Sequence, residues 1–141
     1  SLALRGLQTL SVRLNHLEKS TLTVARWLEK SNLVELLFHP AFSSCPGHTI
    51  WRRDFTGSAS VFSFLINGEI LPEKVINFLN ALKIFKIGLS WGGVTSLAII
   101  YPAIERPNKD FGGRLVRLNI GLEHPEDLIA DLSQAFKFLQ K

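Results

Sequence analysis

The chain has few of the residues that cross-link proteins or span membranes. Its 141 residues include one cysteine, Cys45, and no methionine. A single cysteine excludes an intrachain disulfide and is typical of a reducing compartment, so we expect a cytoplasmic protein. No run approaches the roughly 20 apolar residues of a membrane-spanning helix, and no signal-peptide pattern opens the chain, so we expect no membrane partner. The start at Ser1, inside a helical pattern, leads us to expect a piece of a longer protein.

The charge is small and scattered. The formal net charge is +4, and the densest basic segment, Arg52-Arg53, is followed directly by Asp54. A nucleic-acid-binding surface needs a basic stripe with aromatic side chains on which bases stack, so we expect no nucleic-acid partner. The sequence also has no glycine-rich phosphate loop and no serine-centred nucleophile elbow. Its 46% apolar content suits one globular domain with a substantial core.

The hydrophobic pattern begins with one long helix. Apolar residues recur at steps of three and four from Leu7 to Leu28, and the helix is predicted to end near Lys30. At 1.5 Å per residue it would be about 36 Å long, which exceeds what a small domain needs. We therefore interpret residues 1–31 as a linker helix that joins a large domain outside this sequence, and residues 32–141 as a second domain.

The rest of the chain predicts an α+β domain. Strands are predicted over residues 33–38, 60–66, 85–90 and 114–120, with loops over 39–58 and 103–113 and helices that begin at Pro72 and Pro125. Residues 94–101 are an apolar run that fits a short helix or a strand. This order describes a small, mostly antiparallel four-stranded sheet with helices packed on one face.

The last predicted strand contains an arginine in its middle. Because a strand alternates its faces, Arg117 shares one face with Leu115 and Asn119, while Val116 and Leu118 point to the other and suit packing on helices. A planar guanidinium on a rigid strand can hold a carboxylate through two parallel hydrogen bonds. An arginine on a solvated sheet face is the commoner case, so the residue alone leaves both interpretations open.

The loop over residues 39–58 contains three potential metal ligands. His39, Cys45 and His48 lack a fourth ligand and match no zinc spacing, so we interpret them as ordinary loop residues and expect no metal. A nucleophilic cysteine needs a neighbouring base that holds it as thiolate, and the Pro-Gly turn between Cys45 and His48 does not establish that geometry.

A second segment, Ser90-Trp91-Gly92-Gly93, follows a predicted strand. Adjacent glycines allow close approach of the backbone to another molecule, and the serine and tryptophan before them are candidates for a pocket wall. A simple Gly-Gly turn with a core tryptophan is the better explanation if the segment is taken alone.

Four segments, in this order, resemble one family. They are Trp51-Arg52-Arg53-Asp54-Phe55-x-Gly57, Val61-Phe62-Ser63-Phe64, Ser90-Trp91-Gly92-Gly93-x-x-Ser96-Leu97 and Leu115-Val116-Arg117-Leu118-x-Ile120-Gly121-Leu122-Glu123. Together they look like the C-terminal domain of the pyridoxal-phosphate-dependent enzymes of cysteine and methionine metabolism, which have the aminotransferase-like fold of type I. Trp91 looks like the bacterial cystathionine β-lyase branch. Leu89 and Thr95 depart from the pattern, because the closest β-lyases have tyrosine and many members glutamate there.

The resemblance implies roles for three residues. The arginine matching Arg117 binds the α-carboxylate of an amino-acid substrate, and the residues matching Ser90 and Trp91 lie at the same pocket. The implied reaction is α,β-elimination of cystathionine to homocysteine, pyruvate and ammonia, in an oligomer that is a tetramer in the family. None of the eight lysines has the Ser/Thr-flanked context of the family's cofactor lysine. We therefore expect pyridoxal phosphate and all catalytic residues in the missing large domain, and an inactive chain on its own.

Two alternatives to a cystathionine β-lyase stay open. One is another trans-sulfuration enzyme, of the cystathionine γ-synthase or γ-lyase type. The other is a free-standing module on the same sheet that binds an amino acid.

Overall fold

The elements of the chain follow the order of a mixed α and β domain. The computed structural model describes residues 2–43, 45, 47–54, 60–88, 93–100 and 112–140. The elements are α1 (Leu2–Glu29), β1 (Val34–Phe38), α2 (His48–Asp54), β2 (Val61–Ile66), α3 (Pro72–Ala81), β3 (Lys86–Ile87), β4 (Leu97–Ile100), β5 (Leu115–Asn119) and α4 (Pro125–Phe136), followed by a 3₁₀ turn at Lys137–Leu139. Within these ranges, no helix has the length and apolar character needed to cross a bilayer.

The strands form one sheet in the order β1-β2-β5-β4-β3. All neighbouring pairs are antiparallel except β3 and β4, which are parallel. The predicted α+β class with a mostly antiparallel sheet is confirmed. The sheet has five strands rather than four, because the apolar run at 94–101 contains β4. A short apolar run does not by its period distinguish a helix from a strand, which is why the sequence left this segment open.

The boundaries of several elements differ from those predicted. The long helix begins at Leu2 rather than Leu7, and α2 lies inside the segment predicted as a loop. A helix of seven residues is too short to be stable by itself and shows little periodicity, so its signal is weak in the sequence. Within the strand predicted over residues 85–90, the structure shows strand only at Lys86–Ile87 (β3), and residues 89 and 90 lie outside the described residues. Most of the predicted loop 103–113 also lies outside the described residues.

The core lies between one face of the sheet and three helices. Its sheet side is formed by alternate residues of the central strands, and its helix side by the buried stripes of α1, α3 and α4. Three phenylalanine rings from β2, α3 and α4 meet edge to face at its centre, with centroids 5.3–6.4 Å apart: Phe64, Phe78 and Phe136. The fully buried strand residues include Phe64, Ile66, Ala98, Val116 and Leu118, and Ile120 is buried directly after β5. The helices therefore pack on one face, as predicted.

The two halves of α1 differ in burial. Its buried residues all lie in the second half: Ser20, Thr21, Val24, Ala25 and Leu28. In the first half, Leu7, Leu10 and Leu14 are 66%, 39% and 56% exposed. We call these three leucines the N-terminal stripe. They continue the same apolar face, but the domain described here does not cover them.

A buried carboxylate fixes the connection between α3 and β3. Asp131 of α4 accepts hydrogen bonds from the backbone N–H groups of Lys83 (2.8 Å), Ile84 (2.7 Å) and Phe85 (3.0 Å). It also accepts from Nε2 of Gln134 at 3.1 Å. Three consecutive amide groups that leave the helix are thus satisfied by one side chain, which ties this end of the sheet to α4.

Candidate functional site

Arg117 lies in the middle of β5, in the interior of the sheet. Its cross-strand neighbours are Ser63 of β2 and Ile99 of β4. Only 6% of the residue is exposed, so the solvated-face interpretation of this arginine is wrong. A guanidinium carries a positive charge, and Arg117 takes part in at least one interaction in the structure. Burial of such a charge requires compensation by acceptors or an anion, which distinguishes Arg117 from the surface arginines of the chain.

The other two predicted site residues, Ser90 and Trp91, lie outside the described residues. Their convergence with Arg117 therefore stays a prediction. The register does place the segment that follows them. Leu97, the first residue of β4, pairs with Asn119 at the end of β5, and Ile99 pairs with Arg117. The segment 93–96 therefore lies beyond the Asn119 end of β5, at least three residues along the strand from the arginine.

A carboxylate holds this segment to the end of β5. The backbone N–H of Ser96 donates to both carboxylate oxygens of Glu123, at 3.2 and 3.0 Å. The Ser96 hydroxyl donates to Oε1 of Glu123 at 2.8 Å and accepts from the backbone N–H of Gly121 at 2.8 Å. A backbone hydrogen bond from Leu122 N to Val94 O, 2.9 Å long, completes the connection. We call Ser96, Gly121 and Glu123 the β4–β5 clamp.

Gly121 is required by the close packing in this clamp. A Cβ at this position would stand 2.6 Å from Oε1 of Glu123 and 2.7 Å from the backbone N of Ser96. No side chain fits at such distances. The sequence placed Ser96, Gly121 and Glu123 in two motifs, but nothing in either motif indicated that they contact each other across 25 residues of chain.

Asn119 is the feature of this region that sequence reasoning missed. It is 3% exposed, and its Oδ1 accepts a hydrogen bond from the hydroxyl of Ser60 at 3.3 Å. Its amide nitrogen Nδ2 is buried and, among the described residues, has no hydrogen-bond partner. Buried side-chain amides are nearly always satisfied, so an unpaired one calls for an explanation. The period of the strand predicted only the face on which Asn119 lies.

The three potential metal ligands of the loop do not form a cluster. His39 is fully buried, with Nδ1 accepting from the backbone N–H of Ala41 at 3.1 Å, while Nδ1 of His48 lies 2.6 Å from the carbonyl of Pro40. Burial lowers the pKa of His39 to about 4 and raises the pKa of the Cys45 thiol. In the described ranges no three histidine, cysteine or acidic side chains gather as metal ligands. The shift of Cys45 favours the protonated thiol, which is not the nucleophilic form.

Comparison with known proteins decides the family. The sequence profile of the family described as Cys/Met metabolism PLP-dependent enzyme matches residues 1–137. The chain belongs to this family. It is 44% identical over 138 residues to cystathionine beta-lyase MetC of Escherichia coli (strain K12), and 40% identical over 139 residues to the cystathionine beta-lyase of Haemophilus influenzae. Each alignment covers 94% of this chain.

The relatives are longer than this chain and are named for more than one reaction. The chain spans about 35% of the length of these two lyases. It is also 39% identical, over 140 residues that cover 95% of this chain and 34% of the relative, to an L-alanine/L-glutamate racemase of Wolbachia pipientis. Proteins named for different reactions on amino acids therefore share this segment.

The described lysines do not fit the demands of pyridoxal phosphate. Its aldehyde is held in enzymes by a lysine in an enclosed site. Lys74 is half-buried, and the other described lysines, Lys19, Lys30, Lys83, Lys86 and Lys137, are exposed. Lys109 and Lys141 lie outside the described residues. The described part of the chain therefore offers no enclosed lysine for the cofactor.

Proposed function

We propose that this chain is the C-terminal, substrate-carboxylate-binding part of a cystathionine β-lyase-like enzyme. The complete enzyme would cleave cystathionine by α,β-elimination to homocysteine, pyruvate and ammonia. The observation that carries the proposal is the buried guanidinium of Arg117, presented from the middle of a central strand. The chain is 44% identical to a cystathionine beta-lyase and 37% identical to a cystathionine gamma-lyase, which supports this reaction over the γ-synthase and γ-lyase alternatives.

The role proposed for Arg117 follows from its position. Strands on both sides of β5 fix its backbone, so the guanidinium starts from a rigid platform. Its planar fork matches the two oxygens of a carboxylate, and burial strengthens the attraction relative to water. Every amino-acid substrate has an α-carboxylate, whatever reaction follows. One arginine can therefore orient the substrates of a lyase and of a racemase alike. Ser90 and Trp91 are proposed to line the same pocket.

We assign cofactor binding and catalysis to the rest of the complete enzyme. The described lysines are unsuited to hold pyridoxal phosphate, which supplies the electron sink for elimination. We propose that residues 1–31 connect this domain, residues 32–141, to that larger part. The exposed N-terminal stripe of α1 supports this proposal, because apolar helix faces of this extent are normally covered. The assembly is proposed to be a cytoplasmic homo-oligomer, a tetramer as the family resemblance implies.

The test uses the complete enzyme loaded with pyridoxal phosphate. Cystathionine is supplied, and the products are identified. Pyruvate with homocysteine supports the β-lyase, 2-oxobutyrate with cysteine indicates a γ-lyase, and inversion of an amino acid without cleavage indicates a racemase. The absence of all three would leave a binding module as the function.

Substitution of Arg117 by lysine tests the residue that carries the proposal. We expect the KM for cystathionine to rise at least tenfold, because a point charge does not reproduce the bidentate fork. Arg26→Lys, on the exposed surface of α1, is the matched control and should leave KM unchanged. Unchanged kinetics for Arg117→Lys would remove this arginine from the substrate pocket.

A further inference from the structure

The unpaired amide of Asn119 lies next to the proposed carboxylate site. Asn119 is two residues from Arg117 on β5, so the two side chains project from the same face, about 6.6 Å apart along the strand. Both are buried, at 3% and 6% exposure. Of the two, Asn119 is nearer to residues 93–96, because it pairs with Leu97 while Arg117 pairs with Ile99.

The hydrogen bond to Ser60 determines which group of the amide is left over. The Ser60 hydroxyl donates to Oδ1, and the backbone of Ser60 is itself fixed by a 2.9 Å hydrogen bond from Ile120 N to Ser60 O. The group without a partner is therefore the nitrogen, Nδ2, which can only donate. Two N–H groups in a buried position select an acceptor, and beside a guanidinium the matching acceptor is an anionic oxygen.

We propose that Asn119 is a second donor to the substrate carboxylate, with Nδ2 donating to one of its oxygens. The inference rests on the proposed function and deepens it. Arg117 supplies the charge, and Asn119 supplies a neutral hydrogen bond that fixes how the carboxylate is rotated on the strand. A carboxylate bound there would also satisfy the buried amide, whose lack of a partner otherwise counts against the folded state.

The sharpest variant is Asn119→Asp in the complete, cofactor-loaded enzyme. Aspartate keeps the shape and the acceptor for Ser60 but replaces the N–H donors with a second anionic oxygen. Binding of glycine and of glycinamide is measured by titration of the cofactor absorbance at pH 8, without turnover. We expect the Kd for glycine to rise at least tenfold. The Kd for glycinamide should stay within twofold of the wild type, because its carboxamide can donate to Asp.

Two further variants keep this test decisive. Asn80→Asp, on the exposed face of α3, makes the same chemical change away from the site and should alter neither Kd. If Asn119→Asp does not fold, as judged by circular dichroism, Asn119→Ala takes its place. We then expect a several-fold rise of the glycine Kd and of the KM for cystathionine, with kcat little changed, because the lost contact is made equally before and during the reaction.

The contrary outcomes are distinct. Equal weakening of glycine and glycinamide by Asn119→Asp would make Asn119 a purely structural residue and overturn the inference. A glycine Kd that Arg117→Lys raises and both Asn119 variants leave unchanged would overturn the inference while the proposed function stands. If Arg117→Lys also leaves the glycine Kd unchanged, the proposed carboxylate site fails together with the inference.

Discussion

His39 is the residue whose burial has the clearest energetic consequence. Its ring is fully buried between Phe42 and Phe62, with centroids 5.4 and 5.5 Å away. Nδ1 accepts a hydrogen bond from Ala41, whereas Nε2 has no hydrogen-bond partner in the part of the chain that the structure describes. Desolvation of the charged ring lowers its pKa from 6.5 to about 4. The folded state therefore holds this histidine neutral under conditions in which the unfolded chain would protonate it.

This shift predicts a loss of stability in mild acid. Because the pKa is lower in the folded state, the contribution of His39 to stability is complete above pH 6.5 and falls as the pH drops towards 4. A shift of this size corresponds to at most about 3 kcal/mol. We expect His39→Gln, which does not titrate, to flatten the decrease in unfolding free energy between pH 7 and 4.5. The measurement is urea denaturation of the chain across this range.

The control for that experiment is Asn15→Gln, on the exposed first half of α1, which changes no titratable group. It should leave the slope of unfolding free energy against pH as in the wild type. If the His39 variant also keeps the wild-type slope, acid destabilisation has another source and the buried neutral histidine does not cause it.

At the candidate site, the sequence predicted the face of the strand on which each side chain lies, but it did not predict that the side chains are buried. The two-residue period placed Arg117 and Asn119 opposite Val116 and Leu118, and the structure confirms this. The burial of both faces of β5 depends on which distant parts of the chain pack against them. So does the hydrogen bond between Asn119 and Ser60, which are 59 residues apart. Pairing between distant segments leaves no periodic trace in the sequence, so neither feature could be predicted.

The elements differ in how far their own sequence determines them. Helices α3 and α4 begin at Pro72 and Pro125 as predicted, because proline and first-turn acids are local signals. Strand β4 was ambiguous and α2 was missed, because both are short and depend on tertiary contacts. The contact of Asp131 with the α3–β3 connection was also missed. Asp131 lies on the buried side of α4 next to Leu132, and a carboxylate is unusual in such a position.

Asp131 carries a prediction at the level of elements, because it joins α4 to the end of α3. One of its oxygens accepts from Ile84 and Phe85, and the other from Lys83. In an asparagine at this position, an NH₂ group would replace one of the two oxygens, so a donor would face backbone N–H donors. We expect Asp131→Asn to lower the unfolding free energy by about 2–4 kcal/mol, since buried donors lose a charged acceptor. The measurement is the shift of the urea midpoint.

Asp127→Asn is the matched comparison for this substitution. Asp127 is exposed in the first turn of the same helix, so its loss removes only a favourable interaction with the helix dipole, about 0.5 kcal/mol. Equal destabilisation by the two variants would mean that the backbone contacts of Asp131 contribute little to joining the elements.

For the molecule as a whole, the first half of α1 is the part that the described domain does not explain. Residues 20–28 of the helix supply the core, whereas the N-terminal stripe of Leu7, Leu10 and Leu14 remains exposed. The chain spans about 35% of the length of the cystathionine beta-lyases that it matches. These two facts together support the proposal that the stripe packs against the larger part. The excess length of α1 was the one feature of the sequence that indicated this.

The N-terminal stripe gives a prediction that tests whether its leucines pack against the larger part of the enzyme or stay exposed to solvent. In the complete enzyme, we expect Leu7→Ser combined with Leu14→Ser to lower the melting temperature by several degrees, because truncation of buried leucines costs about 2–5 kcal/mol each.

The matched control is Ile76→Ser combined with Ile87→Ser, which changes two residues of comparable exposure, 53% and 58%, on α3 and β3. Thermal unfolding followed by fluorescence measures both. Equal melting temperatures for the two double variants of the complete enzyme would show that the stripe does not pack against the larger part, and the assignment of residues 1–31 as a linker would then fail.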